Sequence, residues 1–295
     1  MHILNRLFRW LAFSFFARRF VAGDTVEDAI RRAKQLEAQN ILGLINILGE
    51  HASKPCEASG YKGQYLELLD AIHKEGLRAH ISVKLTQLGL ELELGKNEKR
   101  CEQFLKDIAK RAETYGIWVE VDRESPHLRE AVRRVFRNVY KEYPENLRLT
   151  VQLNMAESPD EIHDDMMDGI PMRLCKGAYN GPIRDQKSLR KIFMLQARNL
   201  VWEGYKPAFA THDLALLDAL IDGRTPAADI EFQLLLGLEN KYARMLAARG
   251  FRVRLYIPYG PSWLPYGKRR AHDVGKILWR NFWYRARRKF FPKST

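Results

Sequence analysis

Eight short runs rich in β-branched and aromatic residues recur along this chain, and each is followed by a stretch with helical apolar spacing. The runs cover residues 41–48, 79–85, 117–121, 147–153, 171–175, 208–210, 230–236 and 253–257. Between them, stretches such as 65–74, 99–115, 126–140, 159–167, 187–202, 214–221 and 239–249 repeat apolar residues at the helical period. Ser125-Pro126 and Ser158-Pro159 have the form of a helix cap followed by a first-turn proline, and Gly76, Gly116, Gly204 and Gly250 stand where helices should end. A further helix is expected after Asp24-Thr25, running through Gln39 ahead of the first strand. Eight strand–helix units in about 250 residues is the count of a (β/α)8 TIM-type barrel. A doubly wound open sheet is the alternative, but no G-x-G-x-x-G follows any strand. The expected division is a helical extension over 1–40, an α/β barrel over 41–275 and a basic, aromatic, amphipathic helical tail over 276–295, with no linker or internal repeat between.

The formal net charge of +13 sits at the ends. Residues 1–19 carry Arg6, Arg9, Arg18 and Arg19 with no acid, and residues 268–295 carry ten Lys/Arg against Asp273 alone, so 20–267 are neutral overall. A neutral body argues against a nucleic-acid partner. Both ends are also amphipathic. Ile3, Leu4, Leu7, Phe8, Leu11 and Phe15 share one helical face, as do Trp279, Trp283, Ala286 and Phe290. Basic helices carrying Trp and Phe suit an anionic membrane surface, and packing on the protein's own core is the competing use of the same stripes. Arg9 interrupts the first apolar run, which disfavours a cleaved signal peptide. No 18-residue apolar run could span a bilayer. Cys56, Cys101 and Cys175 match no metal spacing and no disulfide framework, which points to a reducing compartment. The expected location is cytoplasmic, on the inner face of a membrane.

In such barrels the chemistry collects where strands run out into the following loops. Those positions hold Lys84, Asp122, Gln152, Arg173 with Lys176, Thr211-His212, Gln233 and Tyr256. Each alone has an ordinary explanation: Lys84 could reach solvent, Asp122 could cap a helix, and His212 could be a satisfied core histidine. Their joint placement on one rim favours an active site, with room for a large polar ligand on one side and a small anion on the other. The segment YIPYGPSWLPYGKRR, 256–270, adds Tyr266, Arg269 and Arg270 just past the last strand. Guanidinium forks match a carboxylate's two oxygens and phenol faces cover a ring, although paired arginines on a basic helix can equally be solvated.

The motifs ISVKLTQLGL (81–90), RLCKGAY (173–179), FATHD (209–213), EFQLLLG (231–237) and RLYIPYG followed by YGKRR resemble those of proline dehydrogenases, as do ARRFVAGDT and ILGLINILGE nearer the start. The similarity runs from about Ala17 to Asp273. It implies an FAD-dependent (β/α)8 barrel that oxidises L-proline to Δ1-pyrroline-5-carboxylate and passes electrons to a membrane quinone. By position, the resemblance assigns Lys84, Arg269 and Arg270 to the substrate carboxylate. Asp122 would orient the site by pairing with Lys84 or nearby backbone, and Leu174, Tyr179, Tyr256 and Tyr266 would pack on the pyrrolidine ring. Gln152, Arg173, Lys176, Gly177, Ala178, Thr211, His212, Gln233 and Leu235 would line the FAD, with Asp273 at the position of the family's acidic contact. Hydride transfer to a flavin needs no protein nucleophile, so the protein's part is orientation and exclusion of water.

Three positions depart from the family pattern. Leu153-Asn154 follow Gln152 where small and aromatic residues are usual, Arg123 follows Asp122, and Asp273 replaces a longer glutamate. They leave open a divergent enzyme acting on another cyclic amino acid. A lyase using Lys176 as a Schiff base and a non-catalytic homologue docking on membranes are the remaining alternatives.

Overall fold

The structure is a computed structural model and describes residues 18–49, 51–92, 98–155, 159–177, 181–221, 227–238 and 240–290. The chain enters with helix α1 (Val26–Glu37), capped reciprocally by Thr25 and Asp28. Strand–helix units follow: β1 (Leu42–Ile47), α2 (Pro55–Lys74), β2 (His80–Lys84), α3 (Glu98–Thr114), β3 (Val119–Asp122), α4 (Arg129–Tyr140), β4 (Leu147–Gln152), α5 (Pro159–Met167), β5 (Met172–Cys175), α6 (Gln186–Trp202), β6 (Ala208–Ala210), α7 (Leu214–Ile221), β7 (Glu231–Leu235), α8 (Asn240–Ala248), β8 (Arg252–Tyr259) and α9 (Trp263–Phe290). All eight strands are parallel and close in sequence order, β8 pairing back onto β1 from Leu42↔Arg254 to Ile47↔Tyr259. The expected barrel is therefore the fold, with every strand run in place.

The local signals act as their chemistry requires. Gly76, Gly116, Gly204 and Gly250 all take left-handed backbone angles, φ +61 to +85, where their helices stop. Pro126 begins a short 3-10 turn, Pro126–Leu128, ahead of α4. Helix α2 starts at Pro55, ten residues earlier than the periodicity indicates. Gly60 and Gly63 weaken the pattern there, yet the space beside each is open, so helix is retained at a modest propensity cost. Leu153-Asn154, expected as the strand's continuation, turn instead into a 3-10 segment, Leu153–Met155.

The core lies between barrel and helices. On one side a series of rings crosses it: Phe193 of α6 meets Phe209 of β6 at 5.9 Å, Phe209 meets Phe232 of β7 at 6.3 Å, and Phe232 meets Phe251 edge-on at 5.3 Å. Phe209 and Phe232 are fully buried. The last helix is continuous across residue 275. It packs on the barrel through Val274, Ile277, Asn281 and Tyr284, with Asn281 Nδ2 donating to the His212 carbonyl (3.0 Å) and Tyr284 Oη to Asp218 (2.9 Å). Leu278, Trp279, Phe282 and Trp283 lie on the opposite, exposed face. The aromatic stripe thus turns to solvent with Trp279 and Trp283, while the other side of the helix holds the barrel. The stripe over residues 3–15 lies outside the described residues, as does the side chain of Phe290.

Replacing Phe209 with alanine would open a cavity at the centre of the ring series. The expected loss is about 3–5 kcal/mol in denaturant unfolding. A loss below about 1 kcal/mol would show that the neighbouring rings close the gap.

Candidate active site

The strand ends converge as the alternation requires. Lys84 and Asp122 are the last residues of β2 and β3 and are register partners; Gln152 ends β4, Lys176 follows β5, and Thr211 and His212 follow β6. Asp122 is the organising carboxylate. It accepts from Arg173 Nη1 at 2.8 Å and from Tyr256 Oη at 3.0 Å, and the Arg173 guanidinium lies 5.5 Å from the Tyr256 ring centre. Its side-chain partners are thus Arg173 and Tyr256, a correction to the expected pairing with Lys84 or nearby backbone. Arg173 reaches across from β5, its Nη1 donating to Asp122 and also to Thr150 Oγ1 at 3.4 Å.

Lys84 is 3% exposed, and its backbone N–H donates to Tyr65 Oη, which in turn donates to Gln87. Beside it lies Glu124, which the motifs did not single out. Glu124 accepts from Thr86 Oγ1 at 2.7 Å; burial pushes its carboxyl up, and the Lys84 charge opposes that shift. Arg270 is buried, pairs with Asp273 at 3.0 Å and lies over the Tyr266 ring at 5.5 Å, whereas Arg269 is half-exposed. Successive helical residues diverge by about 100°, so one enters while the other borders the mouth. Burial raises the Tyr266 hydroxyl to about 12.

The opposite side is polar and rich in cations. Lys176, Arg190 and Arg280 all surround the single carboxylate of Asp213, with Lys176 Nζ at 2.5 Å, Arg190 Nε at 2.8 Å and Arg280 Nε at 3.8 Å. Burial lowers Lys176 to about 8, Asp213 opposing. Asp213 belongs to the FATHD motif, but Arg190 and Arg280 carry no local signal and are joined to it only by the fold. His212 Nε2 accepts the Leu235 N–H at 2.8 Å, which leaves the proton on Nδ1. That Nδ1 and Arg173 Nε are buried without hydrogen-bond partners among the described residues. Burial, then the charges of Arg270 and Arg280, hold His212 neutral with a pKa of about 3.

The remaining positions vary in what they contact. Gln152 Nε2 donates to the Arg123 carbonyl (3.2 Å), and Thr211 Oγ1 accepts the Asp213 N–H (3.1 Å). Gln233 faces inward, its amide donating to Glu120 and Glu231, both at 2.8 Å. Leu174 is fully buried in the main apolar cluster, while Gly177 is exposed and so close to Asn154 that a Cβ there would lie 2.4 Å from it. Ala178 and Tyr179 lie outside the described residues. At the rim His51 and His127 both bond Glu91, joining the loops after β1, β2 and β3.

Three comparisons agree. The proline dehydrogenase family profile matches residues 29–189 and 187–276. Proline dehydrogenase 1 of Bacillus subtilis is 32% identical over 266 residues, 87% of this chain and 86% of that protein. Proline dehydrogenase of Deinococcus radiodurans is 30% identical over 273 residues, 88% and 86% of the two chains. Among solved structures, proline utilization A (PutA) from Bdellovibrio bacteriovorus, inactivated by N-propargylglycine, superposes with a TM-score of 0.79 at 22% identity. That match covers 87% of this chain and 32% of the larger protein, so this chain spans about a third of PutA and shares its barrel fold.

Both His80, whose pKa burial and then Arg254 depress to about 4, and His212 are neutral in the fold. A depressed pKa gives stability that is complete above the ordinary value of 6.5 and is lost as pH falls through about 4 and about 3 respectively. The melting temperature should therefore fall steadily below that upper value, and His212→Asn should flatten the profile. An unchanged slope in that variant would show that His212 does not contribute. The profile match over most of the chain and the two relatives at 30% identity or more place this chain in the proline dehydrogenase family.

Proposed function

We propose that this protein oxidises L-proline to Δ1-pyrroline-5-carboxylate using FAD, with a membrane quinone as the final electron acceptor. The observation that carries this reading is the Asp122–Arg173–Tyr256 assembly, set between buried Lys84 and the cation cluster at Asp213. Lys84, Arg269 and Arg270 would take the substrate carboxylate, and Tyr179, Tyr256 and Tyr266 would enclose the ring; Leu174, in register with Phe209, faces the helices instead, a correction to its expected place. Asp273 would orient Arg270, with which it pairs. Cations around the carboxylate also lower the pKa of the neighbouring substrate amine, favouring the neutral form that oxidation requires.

The chain's residues fit a flavin dinucleotide. The cations Lys176, Arg190 and Arg280 outnumber their shared carboxylate, which suits a pyrophosphate. His212 Nδ1 and Arg173 Nε are buried donors suited to ring or ribityl oxygens. Gly177 would allow a close backbone approach, and the resemblance adds Ala178, Thr211, Gln152, Gln233 and Leu235 to the residues that would line the flavin. FAD, when bound, would supply the hydride acceptor. Arg173, fixed between Asp122 and Thr150, keeps a positive charge beside the reacting centre, and the enclosing tyrosines exclude water. Lys176 is committed to Asp213 and Gln186, which disfavours its use as a Schiff-base lysine.

The exposed face of α9 supports docking on an anionic membrane surface, which would bring the enzyme to its quinone. Leu278, Trp279, Phe282 and Trp283 form that face, in a segment with ten Lys/Arg over 268–295. No helix among the described residues is long and apolar enough to cross a membrane, so attachment would be peripheral.

The direct experiment is the absorption spectrum of the purified protein, which should show oxidised-flavin bands that L-proline bleaches anaerobically. A colourless protein that FAD does not reconstitute would overturn the reading. Arg270→Met should raise KM for proline by roughly ten- to a hundredfold while the flavin remains bound. A near-normal KM would remove Arg270 from the carboxylate site. For the membrane reading, changing Trp279, Phe282 and Trp283 together to serine should reduce cosedimentation with phosphatidylserine vesicles about tenfold at low salt. The melting temperature should not change, because the barrel-facing side of α9 is intact. Undiminished vesicle binding would show that this face is not the docking surface.

A further inference from the structure

At the end of the barrel remote from the candidate active site, the first residues of the strands surround a cavity of about 700 Å³. That volume lies within the usual range of small-molecule sites. Its floor includes His80, Arg148, Glu231 and Arg254, which form the outer layer of the barrel's buried ionic interior.

Charge decides what such a cavity could hold. His80, Glu120 and Glu231 present ligand atoms within 4.8 Å of one another, a donor set that in isolation could take a metal ion. The carboxylates are already occupied by guanidinium groups. Arg148 Nη1 lies 2.9 Å from Glu120 and 3.2 Å from Glu231, and Arg254 Nε lies 3.3 Å from Glu231. A divalent cation entering there would meet two fixed positive charges. For an anion the same charges are attractive, since Arg78, Arg148, Lys206, Arg252 and Arg254 line the cavity beside Glu231.

Two of those cations are engaged at the rim, Arg78 by Glu37 at 2.7 Å and Lys206 by Asp229 at 3.9 Å. Arg252 is exposed and has no acidic partner among the described residues. Arg148 is 5% exposed, and its Nε is buried with no hydrogen-bond partner among the described residues. An unsatisfied buried guanidinium N–H is costly in a folded protein, and an anionic oxygen would relieve it. The walls are flat and apolar: Trp118 is half-buried, stacks with His80 at 6.1 Å and lies 5.2 Å from the Arg148 guanidinium.

We propose that this mouth of the barrel binds a small organic anion with a flat apolar body, its phosphate or carboxylate group meeting Arg148 and Arg252 and its ring lying against Trp118. The site is separate from the proposed proline chemistry and does not rest on it.

Isothermal titration of the full-length protein with 2-naphthyl phosphate tests the proposal. Saturable binding is expected, with quenching of tryptophan emission that Trp118→Phe abolishes. Inorganic phosphate and 2-naphthol, each holding half of the recognition, should bind at least about tenfold more weakly. Arg252→Glu should also weaken binding about tenfold without lowering the melting temperature, because Arg252 is exposed and has no acidic partner among the described residues. Saturating L-proline should leave the titration unchanged. Absence of saturable heat, equal affinity in Arg252→Glu, or displacement by proline would each overturn the assignment.

Discussion

Six charges inside the barrel set the terms for the rest of the structure. Arg148, Arg173 and Arg254 face Glu120, Asp122 and Glu231, where barrels of this class commonly stack branched apolar residues. Taking charges out of water costs several kcal/mol each unless they are paired and hydrogen-bonded. Here three positive and three negative groups balance, and Gln233 adds an amide that donates to both Glu120 and Glu231. Arg148, His80 and Arg173 hold the Glu120 carboxyl well below the usual carboxylate range despite its burial. The arrangement is weak evidence for net stability but a strong constraint on geometry. Moving one strand by a residue would turn a charge out of the barrel and leave its partner buried alone.

That constraint reaches the catalytic face. Contacts run from Arg148 to Glu120, then to Arg173 at 3.7 Å, and from Arg173 to Asp122 and Tyr256. Arg173 therefore has one side in the structural layer and the other at the proposed site. Its position is determined by carboxylates on β3, and the ring of Tyr256 is fixed by the same Asp122. Orientation of this kind, made before any ligand arrives, is what the proposed chemistry asks of its protein.

Much of the fold was legible because its signals are local. Apolar alternation, capping Thr25, first-turn prolines and helix-ending glycines each act within a few residues, and all eight strands follow them. Lys84, Asp122, Arg173 and His212 were legible for a related reason: strand ends define the catalytic rim once a barrel is recognised. Glu120, Arg148, Glu231 and Arg254 were not singled out. In sequence they look like solvent-facing positions of alternating strands, and only closure of the barrel turns them toward one another. Arg190 and Arg280 were hidden differently, since each is an ordinary helix arginine until α6 and α9 bring it to Asp213. For Asp122 the resemblance implied pairing with Lys84 or nearby backbone, while the longer Arg173 reaches across from β5.

The last helix joins these themes. Over its 28 residues it carries Tyr266 and Arg270 near its start, Arg280 and Asn281 farther on, and the exposed Trp279, Phe282 and Trp283 on the reverse side. At 1.5 Å per residue this is one element of roughly 40 Å. Asn281 holds the carbonyl of His212, Arg280 lies by Asp213, and Arg270 pairs with Asp273, so the helix borders both the proposed substrate side and the cation-rich side. A rigid element cannot shift at one point without moving its neighbours. If its aromatic face meets a membrane, the groups that border the site are held at a fixed height above that surface. The stripe of Trp279 and Trp283 turns outward, while the other side of the same helix holds the barrel through the polar bonds of Asn281 and Tyr284.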